Sequence, residues 1–141
     1  MTVFLDANII LALSQTAQWG RVKPGVIDLV VPDVVEAEVT SPGARTRHAA
    51  DVAAYEAAKQ AGQFRVVTLV AGTPEYGAYL GFRGARISQR GNQGEDACVA
   101  LAMFAPGSIV CTNDRSGANR ALAALGDPAR VWSLADLLAH L

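Results

Sequence analysis

Short apolar runs separated by helix-like segments, with no two runs joined by a tight hairpin, constrain this chain more than any other feature. Residues 2–5 form the first β-rich run, followed by 29–31 (stopped by Pro32), 64–70, 109–112 and 129–132. Helical patterns lie between and after them at 8–15, 34–39, 44–61, 73 to 80, 95–104, 116–125 and 134–141. Their ends carry the expected signals: Asp33 starts the second, Ser41-Pro42-Gly43 ends it, Gly62 closes the third, and Ser133 caps the last. Strand–helix alternation of this kind predicts an α/β fold, a three-layer α/β/α sandwich around a central, mainly parallel sheet of roughly four to five strands. At 141 residues, without repeats or a low-complexity linker, the chain reads as one domain, 1–141. Residues 81–94, with four glycines and three arginines, read as its least structured part.

In an open parallel sheet, ligands sit just past the carboxyl ends of the strands. The run Val3-Phe4-Leu5 leads into Asp6, and Ile109-Val110-Cys111-Thr112-Asn113 leads into Asp114. Helix capping explains either aspartate alone, but Asn8 can cap the first helix and leave Asp6 free to face the crevice. Asp114 has the same choice between cap and ligand. Thr112 and Asn113 add hydrogen-bonding groups that could orient a carboxylate or a metal-bound water. Glu95 and Asp96 open a helix, where the macrodipole favours acids, and spacing alone does not choose which faces the sheet edge. Glu36 and Glu38 project roughly 160–200° apart, so one can face inward while the other is solvated. Acids gathered at one edge repel each other without a cation, and hard oxygen donors select Mg²⁺ or Mn²⁺ over zinc.

A hydrophobic content of 51% with 18% charged residues argues against disorder, and a net charge of −1 names no partner. The apolar stretches fall short of a membrane span, and the N-terminus lacks the basic region of a signal peptide, so a cytoplasmic protein is expected. Cys98 and Cys111 have no CxxC spacing and read as buried free thiols. Ten of the twelve basic residues are arginine. Arg83, Arg86 and Arg90 occupy an acid-free stretch, and Arg115 and Arg120 follow Asp114. Guanidinium groups grip phosphate bidentately, although the arginine bias of high-GC coding accounts equally well for any one of them.

Four segments carry a resemblance: Phe4-Leu5-Asp6-Ala7-Asn8, Pro32-Asp33-Val34-Val35-Glu36-Ala37-Glu38-Val39, Gly94-Glu95-Asp96-Ala97-Cys98-Val99-Ala100-Leu101-Ala102 and Cys111-Thr112-Asn113-Asp114. Their order and spacing resemble those of the PIN-domain ribonucleases. The chain is similar to a VapC-type toxin of a type II toxin–antitoxin system or a stand-alone relative, out to the closing Trp132-Ser133-Leu134-Ala135-Asp136-Leu137-Leu138. The resemblance implies a Mg²⁺- or Mn²⁺-dependent endoribonuclease with Asp6, Glu38, Asp96 and Asp114 as its catalytic acids. It makes Asp6, Asp96 and Asp114 metal ligands. Glu38 matches the family's helix glutamate better than Glu36. Members written with Asp before a small-small-aliphatic triplet match Asp96, and members written Gly-Glu match Glu95, so Asp96 is preferred narrowly and Glu95 is kept as a metal ligand. RNA is the implied substrate, a cognate antitoxin and a second copy of the chain are the implied partners, and no membrane is involved. His48 and His140 become surface residues, with His48, Arg45 and Arg47 within possible reach of RNA. Nothing transfers onto residues 81–94.

Other chemistries that place acids at strand ends fit less well. Response-regulator and haloacid-dehalogenase phosphotransfer domains need a late lysine, and this chain has only Lys23 and Lys59. The dehalogenase type also needs a second Asp where Asn8 stands. No GxGxxG or GKS/T loop follows a strand. The serious rival is a PIN fold kept as a binding or assembly module with weak or no nuclease activity, against which all four acid positions are retained.

Overall fold

A computed structural model describes residues 1–85 and 92–141. Five strands, β1 (Thr2–Leu5), β2 (Asp28–Pro32), β3 (Arg65–Val67), β4 (Ile109–Cys111) and β5 (Val131–Trp132), form one sheet in the order β3-β2-β1-β4-β5. Every pairing is parallel; Val3 stands opposite Leu29 on one side and Ile109 on the other. The helices are α1 (Ala7–Gln15), α2 (Asp33–Val39), α3 (Pro42–Arg47), α4 (Ala49–Gln60), α5 (Pro74–Ala85), α6 (Gln93–Met103), α7 (Arg115–Leu125) and α8 (Leu134–Ala139). They flank the sheet, giving the three-layer α/β/α architecture expected from the alternation.

The sheet forms where the sequence is uninterruptedly apolar. Val3, Leu5, Val30, Val31, Val110 and Cys111 are fully buried, as central strands covered on both faces must be. Ile9, Ile10 and Leu13 of α1 join that core, and so do Cys98, Val99 and Ala102 of α6. Tyr55 stacks on Phe64 with ring centroids 4.9 Å apart, and Phe64 meets Trp19 at 5.3 Å. Parallel crossovers are right-handed as a rule, which assigns the connections toward β2 and β3 to one face and those toward β4 and β5 to the other. Strand order reverses between β1 and β4, the position at which ligands sit in open parallel sheets.

Local departures from the sequence reading have physical causes. Asp6, not Asn8, caps α1: its Oδ1 accepts from Ala7 N at 2.7 Å, and Asn8 sits exposed in the first turn. The helix expected over 44–61 is two helices. Ser41 Oγ accepts from Ala44 N at 3.2 Å and Pro42 starts α3 early, while His48 (φ −133°, ψ 40°) breaks the path before α4. The strand expected over 64–70 is laddered only at Arg65–Val67, and beyond it Leu69 N is drawn to Asp33 Oδ1 at 3.2 Å. Helix α5 continues past residue 80 through Gly81 and Gly84 to Ala85, packed against α6, so the loop read into 81–94 is helical at its start. Ser133 and Asp136 cap α8 reciprocally, the arrangement that Ser133 foreshadowed.

Cys98 and Cys111 are free and buried, with Cys98 Sγ 3.4 Å from Leu5 O. Burial pushes both thiols up, so neither is a ready nucleophile. Among the described residues no helix is long and apolar enough to cross a membrane.

Candidate metal centre at the strand-order reversal

The two strand-end aspartates meet across the β1–β4 junction. Asp6 N donates to Cys111 O at 3.2 Å, continuing the ladder one step past the strand. Thr112 Oγ1 then donates to Asp6 Oδ2 at 3.2 Å and accepts from Asp114 N at 3.3 Å. Asp6 is only 6% exposed. Burial raises its pKa, the Ala7 and Thr112 hydrogen bonds pull it back, and the charges of Glu38 and Asp114 raise it further. Asp114 caps α7 by accepting from Gly117 N at 3.2 Å while remaining partly exposed. Capping and facing the crevice are therefore compatible for both aspartates. Asn113 turns elsewhere, its Oδ1 accepting from Leu134 N at 2.9 Å at the head of α8.

Two glutamates reach the same edge through close approaches that only glycine permits. Glu38 of α2 places Oε1 2.7 Å from Gly94 N, an otherwise orphan donor in the first turn of α6. A Cβ on Gly94 would stand 2.7 Å from Val35 Cγ2 and 3.0 Å from Glu38 Oε1. Partial burial and the charge of Glu95 raise the Glu38 pKa, while Gly94 N–H and Arg83 lower it. Glu95 lies against Gly117, where a Cβ would fall 2.0 Å from Oε2. Burial raises the Glu95 pKa; Arg120 opposes this, and Asp6 and Asp114 add to it.

The remaining acids separate. Glu36 faces away from this edge, accepting from Tyr55 Oη at 2.5 Å and pairing with Lys59 Nζ at 3.0 Å. Asp96 is buried and pairs with Arg83, Nη1 to Oδ2 at 3.0 Å. Glu95 is electrostatically linked to both Asp6 and Asp114. Arg83 is thereby an ion-pair partner of Asp96 before it is anything else, and Arg86 and Arg90 lie outside the described residues. Arg120 is the residue whose role sequence reasoning missed. Its Nε donates to Glu95 Oε1 at 2.7 Å, and its Nη2 bonds the same oxygen. Nothing in the spacing of residues 95 and 120 announces this pair. Gly117 is the one available signal, because a glycine inside a helix costs stability unless something approaches it closely.

Asp6, Glu38, Glu95 and Asp114 thus form a cluster in which three members hold their protons more tightly than ordinary carboxyls. Among the described residues no three His, Cys, Asp or Glu side chains stand at the spacing of a closed metal site. The donor chemistry fits a hard divalent cation nonetheless: the donors are carboxylates, and Asp6 and Glu95, raised mainly by burial and further by neighbouring acids, are groups whose charge a cation would stabilise. Two grooves meet at Glu38 and Ser41. One, of about 650 Å³, is lined by Asp33, Val34, Tyr79 and Gln93; the other, of about 260 Å³, passes Asn8, Leu11, Arg47 and His48. His48 and His140 are both exposed, the latter stacked on Trp132 with centroids 4.2 Å apart. Compared with the models of known protein families and with curated proteins, the chain matches none.

Proposed function

We propose that the acid edge is the active site of a Mg²⁺- or Mn²⁺-dependent endoribonuclease. One observation carries this reading: Asp6, Glu38, Glu95 and Asp114 arrive from four different elements at the strand-order reversal, with carboxyls that destabilise one another's charge. Asp6, Glu95 and Asp114 would hold the cation. Asp96, fixed to Arg83, would shape the wall beside them. A bound divalent ion supplies Lewis acidity toward a phosphate oxygen and lowers the pKa of water.

The protein's own groups do the rest. Thr112 Oγ1 and Ala7 N orient the Asp6 carboxylate through separate oxygens. Glu38, anchored at Oε1 by Gly94 N and with a raised pKa, is suited to hold a proton at the mouth of the site. The two grooves that meet at Glu38 are where an RNA strand would lie beside the acid edge, with Arg47 and His48 along one of them. A VapC-type role, with an antitoxin and a homodimer as partners, rests on the sequence resemblance alone.

Purified protein should cleave single-stranded RNA with Mg²⁺ or Mn²⁺ and stop with a chelator. Undiminished cleavage in chelator would refute the metal mechanism. A second reading has its own observation: Arg120 and Arg83 already neutralise Glu95 and Asp96, as a binding module without catalysis would require. Absence of cleavage under every divalent ion, from a folded protein, would favour it.

A further inference from the structure

Arg120 reaches the acid edge from the second turn of α7 and spans two of its members. Its Nε and Nη2 both bond Glu95 Oε1, and Nη2 also stands 3.9 Å from Asp114 Oδ2. Nη1 donates to Ser116 Oγ at 2.6 Å, which ties the guanidinium to its own helix. The two partners of the main ion pair differ in freedom. The Glu95 side chain is 3% exposed, with Oε2 pressed into the space beside Gly117, whereas that of Arg120 is 24% exposed. If the pair opens, Arg120 moves.

We propose that Arg120 is a tethered counter-cation, lying between Glu95 and Asp114, that a divalent ion must displace. The residue then sets the metal affinity of the site by competition. The inference rests on reading the acid edge as a metal site. The physics is a simple exchange. Without a divalent ion, a buried glutamate carrying full charge is costly, and the guanidinium neutralises it with forked hydrogen bonds. With one, the guanidinium withholds a donor oxygen and adds a like charge a few ångströms away, both of which weaken binding. The Ser116 hydroxyl offers a retained anchor for the displaced side chain. Arg120 is on this account a positioning residue rather than a catalytic one.

The sign of the effect separates competition from support. Mn²⁺ binding to the full chain, without RNA, is measured by calorimetry for the wild type, Arg120→Gln and Arg120→Lys, with circular dichroism verifying the fold. Competition predicts that Arg120→Gln binds Mn²⁺ about tenfold or more tightly than the wild type, a change of about 1.4 kcal/mol. Arg120→Lys, which keeps the charge and loses the fork, should fall between the two. The upward shift in melting temperature on adding Mn²⁺ should be larger in Arg120→Gln. Equal or weaker binding by folded Arg120→Gln overturns the inference and leaves Arg120 as a support for Glu95. If Arg120→Gln does not fold, Arg120→Lys decides in the same way: tighter than wild type supports competition, equal or weaker refutes it. Absence of Mn²⁺ binding to every folded variant removes the metal site itself, an outcome distinct from binding that ignores residue 120.

Discussion

Thr112 Oγ1 donates to Asp6 Oδ2 at 3.2 Å, so a single buried hydroxyl orients an acid that lies 106 residues away in sequence. The same oxygen accepts from Asp114 N at 3.3 Å, which makes Thr112 the link between the ends of β1 and β4. Thr112→Val keeps the shape and removes the link. It should cost about 1–2 kcal/mol, the penalty for leaving buried polar partners unpaired. It should also raise the Asp6 pKa further, since the Thr112 bond is one of the forces holding it down. Thr112→Ser should recover most of the loss. Urea denaturation of the three proteins measures this, and a Val variant as stable as the wild type would contradict it.

The raised acids make stability depend on pH in an unusual direction. Asp6, Glu38 and Glu95 have folded pKa values above their ordinary ones, so the native state binds protons more tightly than the unfolded chain. Stability should therefore increase as pH falls from neutral through those raised values, the gain being complete only below the ordinary carboxyl range near about 4. Asp28, held low by Arg65, and Asp136, held low by Ser133, act oppositely, but their stabilisation is lost only as pH falls through their lowered values. Without divalent ions the melting temperature should rise as pH falls from neutral toward the ordinary carboxyl range. A steady decline over that range would contradict the raised pKa values of these buried acids.

The two glutamates of α2 offer a matched comparison. Glu38→Gln should reduce RNA cleavage by about 10²–10⁴-fold, the contribution of a positioned proton carrier. Glu36→Gln should leave cleavage within about twofold and lower stability by up to about 1 kcal/mol through its weakened bonds to Lys59 and Tyr55. Cleavage rates and melting temperatures measured on the same preparations distinguish the two. Reversed effects would exchange their roles.

Gly117→Ala tests the packing that presents Glu95. The added methyl would overlap Oε2 at 2.0 Å, so either α7 shifts or the Glu95–Arg120 pair breaks. The expected cost is about 1–3 kcal/mol, although alanine is ordinarily the better helix residue. A stabilised Gly117→Ala protein would mean that the Glu95 side chain has another place to go.

Much of this arrangement is legible in sequence, and the illegible parts share a cause. The runs ending in Asp6 and Asp114 read as strands from their apolar character, and both lie inside the sheet, buried on both faces. Their adjacency follows once the order β2-β1-β4 places them side by side. The break at His48 is hidden because alanine-rich helical spacing runs unchanged across it. The early end of β3 depends on Asp33, which captures Leu69 N from another element. Glu95 and Asp96 are adjacent, both buried, and about 100° apart around α6. What separates them is the pairing of one with Arg120 and of the other with Arg83. Those are contacts between helices, and local patterns do not encode them.

The central claim is that the acid edge cleaves RNA with a divalent ion, and Asp6→Asn tests it most directly. Asparagine can still accept from Ala7 N and cap α1, so the fold should hold and its melting temperature should equal or exceed that of the wild type at neutral pH. Single-turnover cleavage of a labelled RNA in Mg²⁺ or Mn²⁺ should fall by about a hundredfold or more, the loss expected when an ion worth several kcal/mol is no longer held. A folded Asp6→Asn protein that cleaves at the wild-type rate would contradict the account.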